Sequence, residues 1–243
     1  MKTGGAGPRE LVIVRDAAAV ARAAAERVAA AAHEAAGARR RFALALAGGS
    51  TPRAAYELLG ARTDIDWAQV DLFWGDERAV PFDHPDSNYG MVQDALLVHP
   101  AVQAARVYRM PVDSHDLDAA AHDYDSTLRR VLGTPPCFDV VLLGLGEDGH
   151  TASLFPGQSA IDEEERYVVA TAAPRIAPRL TLTRPALRAA RTLVFLVTGA
   201  AKQAPLAQIL SATGTVALPA ARVAREAARV TWIVDRAARG STA

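Results

Sequence analysis

Cysteine is almost absent from the 243-residue sequence, which contains only Cys137. No disulfide can therefore form within the chain, and this usage is typical of a reducing compartment. Cys137 stands directly before an apolar stretch, between Pro136 and Phe138. We interpret it as a small structural residue rather than a nucleophile.

An excess of charge of either sign is also missing. Lysine and arginine total 27, aspartate and glutamate total 27, and the sequence pI is near 7.0. This balance gives no sign of a nucleic-acid-binding surface, although a local basic pocket for one small anion stays compatible with it. Nucleic acid is therefore not an expected partner.

Long apolar runs are missing as well. The opening residues MKTGGAGPRE lack the apolar core of a signal peptide, and no run of about 18 apolar residues occurs. We therefore expect a cytoplasmic protein without a membrane partner. Residues 1–10 and 239–243 are expected to be loose ends, and the sequence does not determine the oligomeric state.

What is present is an alternation of apolar, β-rich runs with alanine-rich helical segments. Helices are predicted near 16–36, 52–60, 87–97, 116–132, 152–155, 185–190, 200–211 and 219–227. Strands are predicted at Leu11–Val14, Phe42–Ala47, Val70–Trp74, Val107–Met110, Asp139–Leu145, Tyr167–Thr171, Leu180–Thr183, Thr192–Thr198 and Val230–Val234.

Several of these strands are nearly continuous apolar runs, which is typical of a parallel sheet covered on both faces. The alternation predicts an α/β fold, a doubly wound, mostly parallel sheet with helices on both faces. Without a linker or a repeat, residues 1–243 are expected to form a single domain. Ligands of such sheets bind outside the carboxyl ends of the strands.

The first loop at that edge is GGSTPR, residues 48–53. Gly48 and Gly49 allow the backbone to approach a ligand closely. Ser50 or Thr51 can cap the following helix, whose N-terminus favours an anion such as phosphate. Arg53 in the first helical turn opposes the helix dipole, which suggests that it meets an anion.

Two further loops place charge at the same edge. Gly75-Asp76-Glu77-Arg78 follows an apolar strand, and Asn88 lies in the irregular loop beyond it. An ion-paired, solvated turn is the simpler interpretation of these charges. Lys202 occupies the first turn of the helix after Thr192–Thr198, a plausible position for a phosphate contact.

The stretch GLGEDGH, residues 144–150, matches the dinucleotide-binding spacing G-x-G-x-x-G. A dinucleotide site would need an acidic residue at the end of the next strand, and none is there. The remaining catalytic patterns sought, including the nucleophile elbow and histidine-rich metal motifs, are missing. His150 stands apart because it follows a glycine-rich turn, two residues after Asp148, where a short helix is predicted. A helix N-terminus favours a neutral imidazole, which can act as a base.

Five stretches in order, GGSTP, GDERAVP with SNYG, GLGEDGHTASLFPG, RLTLTRPAL and LVTGAAK, resemble the 6-phosphogluconolactonase family. The resemblance covers residues 40–235. The related glucosamine-6-phosphate isomerases/deaminases share the fold and the D-G-H turn. They differ in continuing with A-F-N-E-P and in having tyrosine where this chain has Arg78.

The resemblance implies hydrolysis of 6-phospho-D-glucono-1,5-lactone in the oxidative pentose phosphate pathway, with no metal or organic cofactor. It implies His150 as general base, Asp148 as its partner, and Arg78 as a cation for developing charge or phosphate. The expected substrate-binding residues are Gly48, Gly49, Ser50, Thr51, Arg53, Asp76, Asn88, Arg179 and Lys202. The division of labour among Arg78, Arg179 and Lys202 stays open.

Three alternatives remain beside this interpretation. Ser50 could attack the lactone to give an acyl-enzyme, with His150 as its base. The chain could instead be a sugar-phosphate isomerase/deaminase. It could also be a sugar-phosphate-binding protein without catalytic activity, although Asp148, His150 and Arg78 argue against that.

Overall fold

The computed structural model describes residues 9–39, 41–173, 176–211 and 218–240. Its strands, numbered in chain order, are β1 (Arg9–Val14), β2 (Phe42–Leu46), β3 (Val70–Trp74), β4 (Asp76–Arg78), β5 (Arg106–Tyr108), β6 (Val140–Leu143), β7 (Val168–Ala173), β8 (Ile176–Leu182), β9 (Thr192–Val197) and β10 (Val230–Asp235). Its α-helices are α1 (Ala17–Arg39), α2 (Ser50–Gly60), α3 (Asn88–Val92), α4 (Leu117–Leu132), α5 (Arg184–Ala189), α6 (Gln203–Leu210), α7 (Pro219–Glu226) and α8 (Arg236–Arg239).

Seven of the strands form one parallel sheet in the order β1-β10-β9-β6-β2-β3-β5. The central strands β2, β3, β6 and β10 are buried along their whole length, as continuous apolar runs require when helices cover both faces. The predicted doubly wound α/β fold is therefore confirmed.

A second, three-stranded antiparallel sheet has the order β4-β8-β7. The sequence analysis predicted β7 and β8 as strands but did not separate them from the main sheet, and it missed β4. The register of this small sheet sets Arg78 directly opposite Arg179. It therefore brings together two cations that are far apart in the sequence.

Several predicted elements differ from the structure. Residues 152–155 form a turn closed by a bridge between Thr151 and Leu154, so no helix begins at His150. The loose ends were predicted too long, because Arg9 and Glu10 belong to β1 and Arg239 to α8. Gly240 caps the end of α8, and residues 1–8 and 241–243 lie outside the described residues.

Short turns of 3₁₀-helix at Trp67–Gln69, Pro100–Ala104 and Ser159–Asp162 add to the predicted set. The 3₁₀ turn Ala200–Lys202 and the π-helical segment Gln93–Leu97 fall within the helices predicted near 200–211 and 87–97. Side chains from both sheets and the covering helices share one hydrophobic core. Within the described ranges, no helix combines the length and the apolar character that a membrane crossing requires.

Strand β1 lies at one edge of the main sheet, where it pairs only with β10 among the described strands. Leu11 and Ile13 on this strand are 39% and 49% exposed. Alternate residues of a strand point to the same face, so both side chains lie on one face of this edge.

Candidate active site

A cleft of about 480 Å³ opens at the carboxyl ends of β2, β3, β6 and β9. This is where an open α/β sheet binds its ligands. The predicted site residues that line it are Gly48, Gly49, Asp76, Arg78, Asn88, Asp148, His150, Arg179 and Lys202. Four loops and the second sheet supply them, so the fold assembles a single polar cleft from distant parts of the sequence.

His150 and Asp148 form a hydrogen-bonded pair within the turn after β6. The imidazole Nδ1 lies 2.5 Å from Asp148 Oδ1, which also accepts the backbone N–H of His150 at 3.1 Å. Partial burial opposes ionisation of Asp148, but these hydrogen bonds outweigh it and lower the pKa of the carboxyl. The imidazole is also held by the Phe155 ring, 4.6 Å away between centroids. Packing and hydrogen bonding, rather than the expected helix N-terminus, therefore fix His150.

The glycine at position 146 leaves the space that this pair occupies. A Cβ built there would lie 2.1 Å from Nδ1 of His150 and 2.6 Å from Oδ1 of Asp148. The backbone N–H of Gly146 also donates to the carbonyl of His150 at 2.8 Å, which closes the turn. The glycine-rich motif thus makes room for the Asp148–His150 pair. This role explains the motif without a dinucleotide.

Arg78 is fixed by the loop that follows it. Its Nη1 donates to Oδ1 of Asn88 at 2.6 Å and to the carbonyl of Asp86 at 2.8 Å. The Asn88 side chain, almost fully buried, donates in turn to the carbonyl of Asp76 at 2.8 Å. A Cβ on Gly48 would collide with the Asn88 amide, so Gly48 makes this packing possible. Asn88 thus links the guanidinium to the glycine loop after β2.

Glu77 anchors the same loop, and the sequence analysis did not identify its role. Its buried carboxylate accepts the backbone N–H groups of Arg78, Asn88 and Tyr89 at 2.8, 2.8 and 2.6 Å. Burial raises the pKa of Glu77 despite these hydrogen bonds, which act in the opposite direction. From the sequence, a charged residue within Gly75-Asp76-Glu77-Arg78 is expected to be solvated. Only the fold brings the N-terminus of α3 over it.

Arg179 enters the cleft from β8. Its Nη1 lies 3.3 Å from Ser153 Oγ and 3.7 Å from Asp76 Oδ2. Burial lowers the pKa of Arg179, and the neighbouring charge of Arg78 acts in the same direction, while Asp76 opposes both. The Nε atoms of Arg78 and Arg179 are buried and find no hydrogen-bond partner among the described residues. Two such cations side by side make this wall of the cleft attractive to an anion.

Lys202 and the N-terminus of α2 meet at another wall. Gly49 caps the helix with φ of 108°, a left-handed conformation that favours glycine, and no described side chain caps it. The hydroxyls of Thr51 and Thr198 lie 2.7 Å apart and tie α2 to the loop that carries Lys202. Lys202 Nζ is 3.7 Å from the exposed Glu147 carboxylate. Free helical N–H groups and an ammonium therefore face the same space.

Three predicted binding residues are placed differently. Ser50, Thr51 and Arg53 lie in the first turn of α2 but outside the cleft lining, although Gly48 and Gly49 beside them belong to it. The Arg53 guanidinium is exposed and pairs with Glu57 at 3.3 Å. In this placement the Ser50 hydroxyl is poorly positioned for the covalent route. Within the described ranges, no group of three or more His, Cys, Asp and Glu side chains could hold a metal ion.

Comparison with known proteins points in one direction. A family model for glucosamine-6-phosphate isomerases/6-phosphogluconolactonase matches residues 15–232. A Streptomyces coelicolor protein named 6-phosphogluconolactonase is 37% identical over 94% of this chain and 93% of its own length. A human protein of the same name is 39% identical, over 83% of this chain and 81% of its own.

Solved structures give the same result. The 6-phosphogluconolactonase from Trypanosoma brucei superposes with a TM-score of 0.85 at 28% identity, covering 98% of this chain and all of that one. A monomeric glucosamine-6-phosphate deaminase superposes with a TM-score of 0.80 at 21% identity, covering 94% and 98% of the two chains. At that identity the second likeness concerns the fold alone.

Proposed function

Because the chain belongs to the glucosamine-6-phosphate isomerase/6-phosphogluconolactonase family, we propose that it hydrolyses 6-phospho-D-glucono-1,5-lactone to 6-phospho-D-gluconate with His150 as the general base. This is the second step of the oxidative pentose phosphate pathway. The observation that carries the mechanism is the 2.5 Å contact between His150 Nδ1 and Asp148 Oδ1 in the cleft.

That contact supports Nε2 as the nitrogen that acts as the base. An ionised carboxylate only accepts hydrogen bonds, so a neutral His150 carries its proton on Nδ1 and its lone pair on Nε2. The lowered pKa of Asp148 keeps the carboxylate ionised through the neutral range. Asp148 therefore orients the ring and stabilises the imidazolium once Nε2 has taken a proton.

The reaction then needs one water and no cofactor. Nε2 of His150 takes a proton from the water as its oxygen attacks the lactone carbonyl carbon. When the bond from that carbon to the ring oxygen breaks, the imidazolium returns the proton to the departing oxygen. Arg78, held in place by Asn88, is the cation we assign to the negative charge that develops on the carbonyl oxygen.

The phosphate is assigned to the part of the cleft between two walls, with the N-terminus of α2 and Lys202 on one and Arg179 on the other. The contact between Thr51 and Thr198 holds the helix N-terminus and the Lys202 loop together, and the partly buried Arg179 adds a planar donor. Gly48 and Gly49 contribute backbone rather than side chains. Binding energy from the phosphate, remote from the carbonyl, positions the sugar for attack.

The test compares lactone loss with the spontaneous rate, using 6-phosphogluconolactone made in place from glucose-6-phosphate and its dehydrogenase. We expect the wild type to accelerate hydrolysis and His150→Ala to lose about 10²–10⁴-fold in kcat, as removal of a general base does. His122→Ala, which replaces an exposed histidine on α4, is the matched control and should keep full activity.

The outcomes separate activity from mechanism. A fully active His150→Ala variant would be consistent with the proposed lactonase activity but would refute the role of His150 as the general base. A wild type that does not accelerate hydrolysis of the lactone would refute the proposed activity itself.

A further inference from the structure

Ser153 belongs to the turn that carries His150, but its side chain points into the protein instead of lining the cleft. It is completely buried, and its backbone N–H donates to Thr181 Oγ1 at 3.1 Å. Its hydroxyl oxygen lies 2.6 Å from Asp76 Oδ2 and 3.3 Å from Arg179 Nη1. A buried hydroxyl between a carboxylate and a guanidinium is a bridge between the two.

The direction of both hydrogen bonds follows from the chemistry of the groups. A guanidinium has donors only, and an ionised carboxylate has acceptors only. The single hydroxyl proton of Ser153 is therefore donated to Asp76, and the Ser153 oxygen accepts from Arg179. Donation to a carboxylate polarises the hydroxyl and strengthens it as an acceptor.

The direct contact cannot replace this bridge. Arg179 Nη1 and Asp76 Oδ2 are 3.7 Å apart, which is beyond hydrogen-bond distance. The other restraints on the guanidinium are weak, since Nε has no partner among the described residues and the Phe155 ring lies 5.5 Å from Cζ. Arg78 directly opposite repels it. Ser153 is then the group that fixes where the Arg179 Nη1 lies.

We infer that Ser153 is a positioning residue that acts through Arg179, holding its guanidinium where the substrate phosphate binds. The inference rests on the proposed function for the identity of the anion. It also gives a role to Ser153, which lies outside the cleft lining although Thr151 and Ala152 before it belong to that lining.

The test is a double-mutant cycle of Ser153→Ala and Arg179→Gln, read by steady-state kinetics on 6-phosphogluconolactone and by calorimetric binding of 6-phosphogluconate. Loss of a hydrogen bond to a charged group corresponds to about tenfold or more. We expect Ser153→Ala to raise KM and the Kd of 6-phosphogluconate by about tenfold, with kcat little changed. In the Arg179→Gln background the same substitution should change neither constant further.

A merely structural serine behaves differently in this cycle. If Ser153→Ala weakens binding equally in both backgrounds, or in neither, the inference is wrong. Thr183→Val removes a hydroxyl of equal burial that donates to the carbonyl of Arg166, outside the cleft lining, and controls for general loss of packing. Its KM and Kd should stay at the wild-type values.

The experiment distinguishes a variant that does not fold from a proposed function that is wrong. Where Ser153→Ala does not fold, Ser153→Cys keeps a small side chain with much weaker hydrogen bonds and should show the same coupling to Arg179. A wild type that neither hydrolyses the lactone nor binds 6-phosphogluconate overturns the proposed function, and the inference with it. A wild type that does both, with additive effects of the two substitutions, overturns the inference alone.

Discussion

The orientation of His150 depends on a carboxylate that is about half exposed, with 51% of the Asp148 side chain accessible. At the scale of single residues, this makes the pair sensitive to acid. The hydrogen bonds from His150 prevail over partial burial and hold the pKa of Asp148 below its ordinary value. A depressed pKa of an acid means that ionised Asp148 stabilises the folded state at neutral pH. That contribution is lost as the pH falls through the pKa of the folded form.

We therefore expect the stability difference between the wild type and Asp148→Asn to depend on pH. It should be fully present above the unfolded pKa of about 3.9 and shrink below it, because the wild-type carboxyl then becomes protonated. Thermal unfolding of both proteins between about pH 3 and pH 7 measures it. A difference in Tm that stays constant across this range would contradict the assigned hydrogen bonds.

Gly146→Ala tests the space beside the Asp148–His150 pair. Gly146 is outside the left-handed region, so alanine suits its backbone, but the new Cβ would overlap the His150 imidazole. The ring must turn away from Asp148, and we expect kcat to fall by about a hundredfold, as a displacement of about 1 Å can cause. Gly37→Ala in α1, where nothing lies within 4 Å, is the matched control and should keep its kcat. An active Gly146→Ala would show that the ring position matters little.

At the scale of elements, two buried tyrosines secure the strand ends that border the cleft. The Tyr56 hydroxyl on α2 donates to the carbonyl of Ala47 and accepts its N–H, both at 2.8 Å. The Tyr124 hydroxyl on α4 accepts the N–H of Trp74 and donates to the carbonyl of Tyr108. Burial raises the pKa of both phenols, so each stays a donor. The helices thereby satisfy backbone groups that the sheet leaves unpaired at its rim.

Tyr56→Phe should cost about 1–3 kcal/mol in the free energy of unfolding, because it leaves a buried N–H and a buried carbonyl without a partner. Urea unfolding of the variant measures the loss. Tyr108→Phe removes a hydroxyl that makes no hydrogen bond within the described part of the chain, and it should change stability far less. Equal losses in both variants would mean that the Ala47 contacts contribute nothing specific.

The elements also show what could be predicted from sequence. The central strands of the main sheet were predicted because they are mostly apolar runs bounded by glycine, proline or polar residues. Strand β4 could not be predicted in this way, because it consists of three charged residues. Its pairing with β8 depends on contacts a hundred positions away in the sequence. The turn at 152–155 was mistaken for a helix because it is short and contains the good helix formers Ala152 and Leu154. Ala152 in this turn adopts φ of 48°, which no local sequence pattern predicts.

At the scale of the whole molecule, the fold alone does not decide the reaction. A glucosamine-6-phosphate deaminase shares the fold at 21% identity, so the activity must be argued from the residues in the cleft. Here the second sheet supplies Arg78 and Arg179 to a cleft whose proposed base, His150, lies in the turn after β6 of the main sheet. The sequence identified these residues individually, but not the antiparallel pairing that brings the two arginines together.

We accordingly expect no ammonia release from glucosamine-6-phosphate at protein concentrations that hydrolyse 6-phosphogluconolactone completely. The physical reason is that Arg78, a permanent cation, stands opposite Arg179 and repels the protonated amine of that substrate. A coupled ammonia assay measures it, with a glucosamine-6-phosphate deaminase as positive control. Turnover of the amino sugar would favour the deaminase alternative over the lactonase.

The open edge at β1 has a consequence for self-association. Exposed edge strands invite pairing with another copy, and Leu11 and Ile13 add apolar surface to this one. In an antiparallel pair, hydrogen-bonded and non-hydrogen-bonded residue pairs alternate along the ladder. A two-fold axis between two copies must therefore pass through one residue pair, so the central residue faces the same residue of the other copy.

Two of the registers centred within β1 bring like charges together. Centring the pair on Val12 sets Arg9 opposite Arg15 of the other copy. Centring it on Ile13 instead sets Glu10 opposite Asp16. Like charges directly across a ladder are destabilising, so the charges on either side of Leu11–Val14 disfavour these two registers. A pair centred on Leu11 sets Arg9 opposite Ile13 and is free of this repulsion.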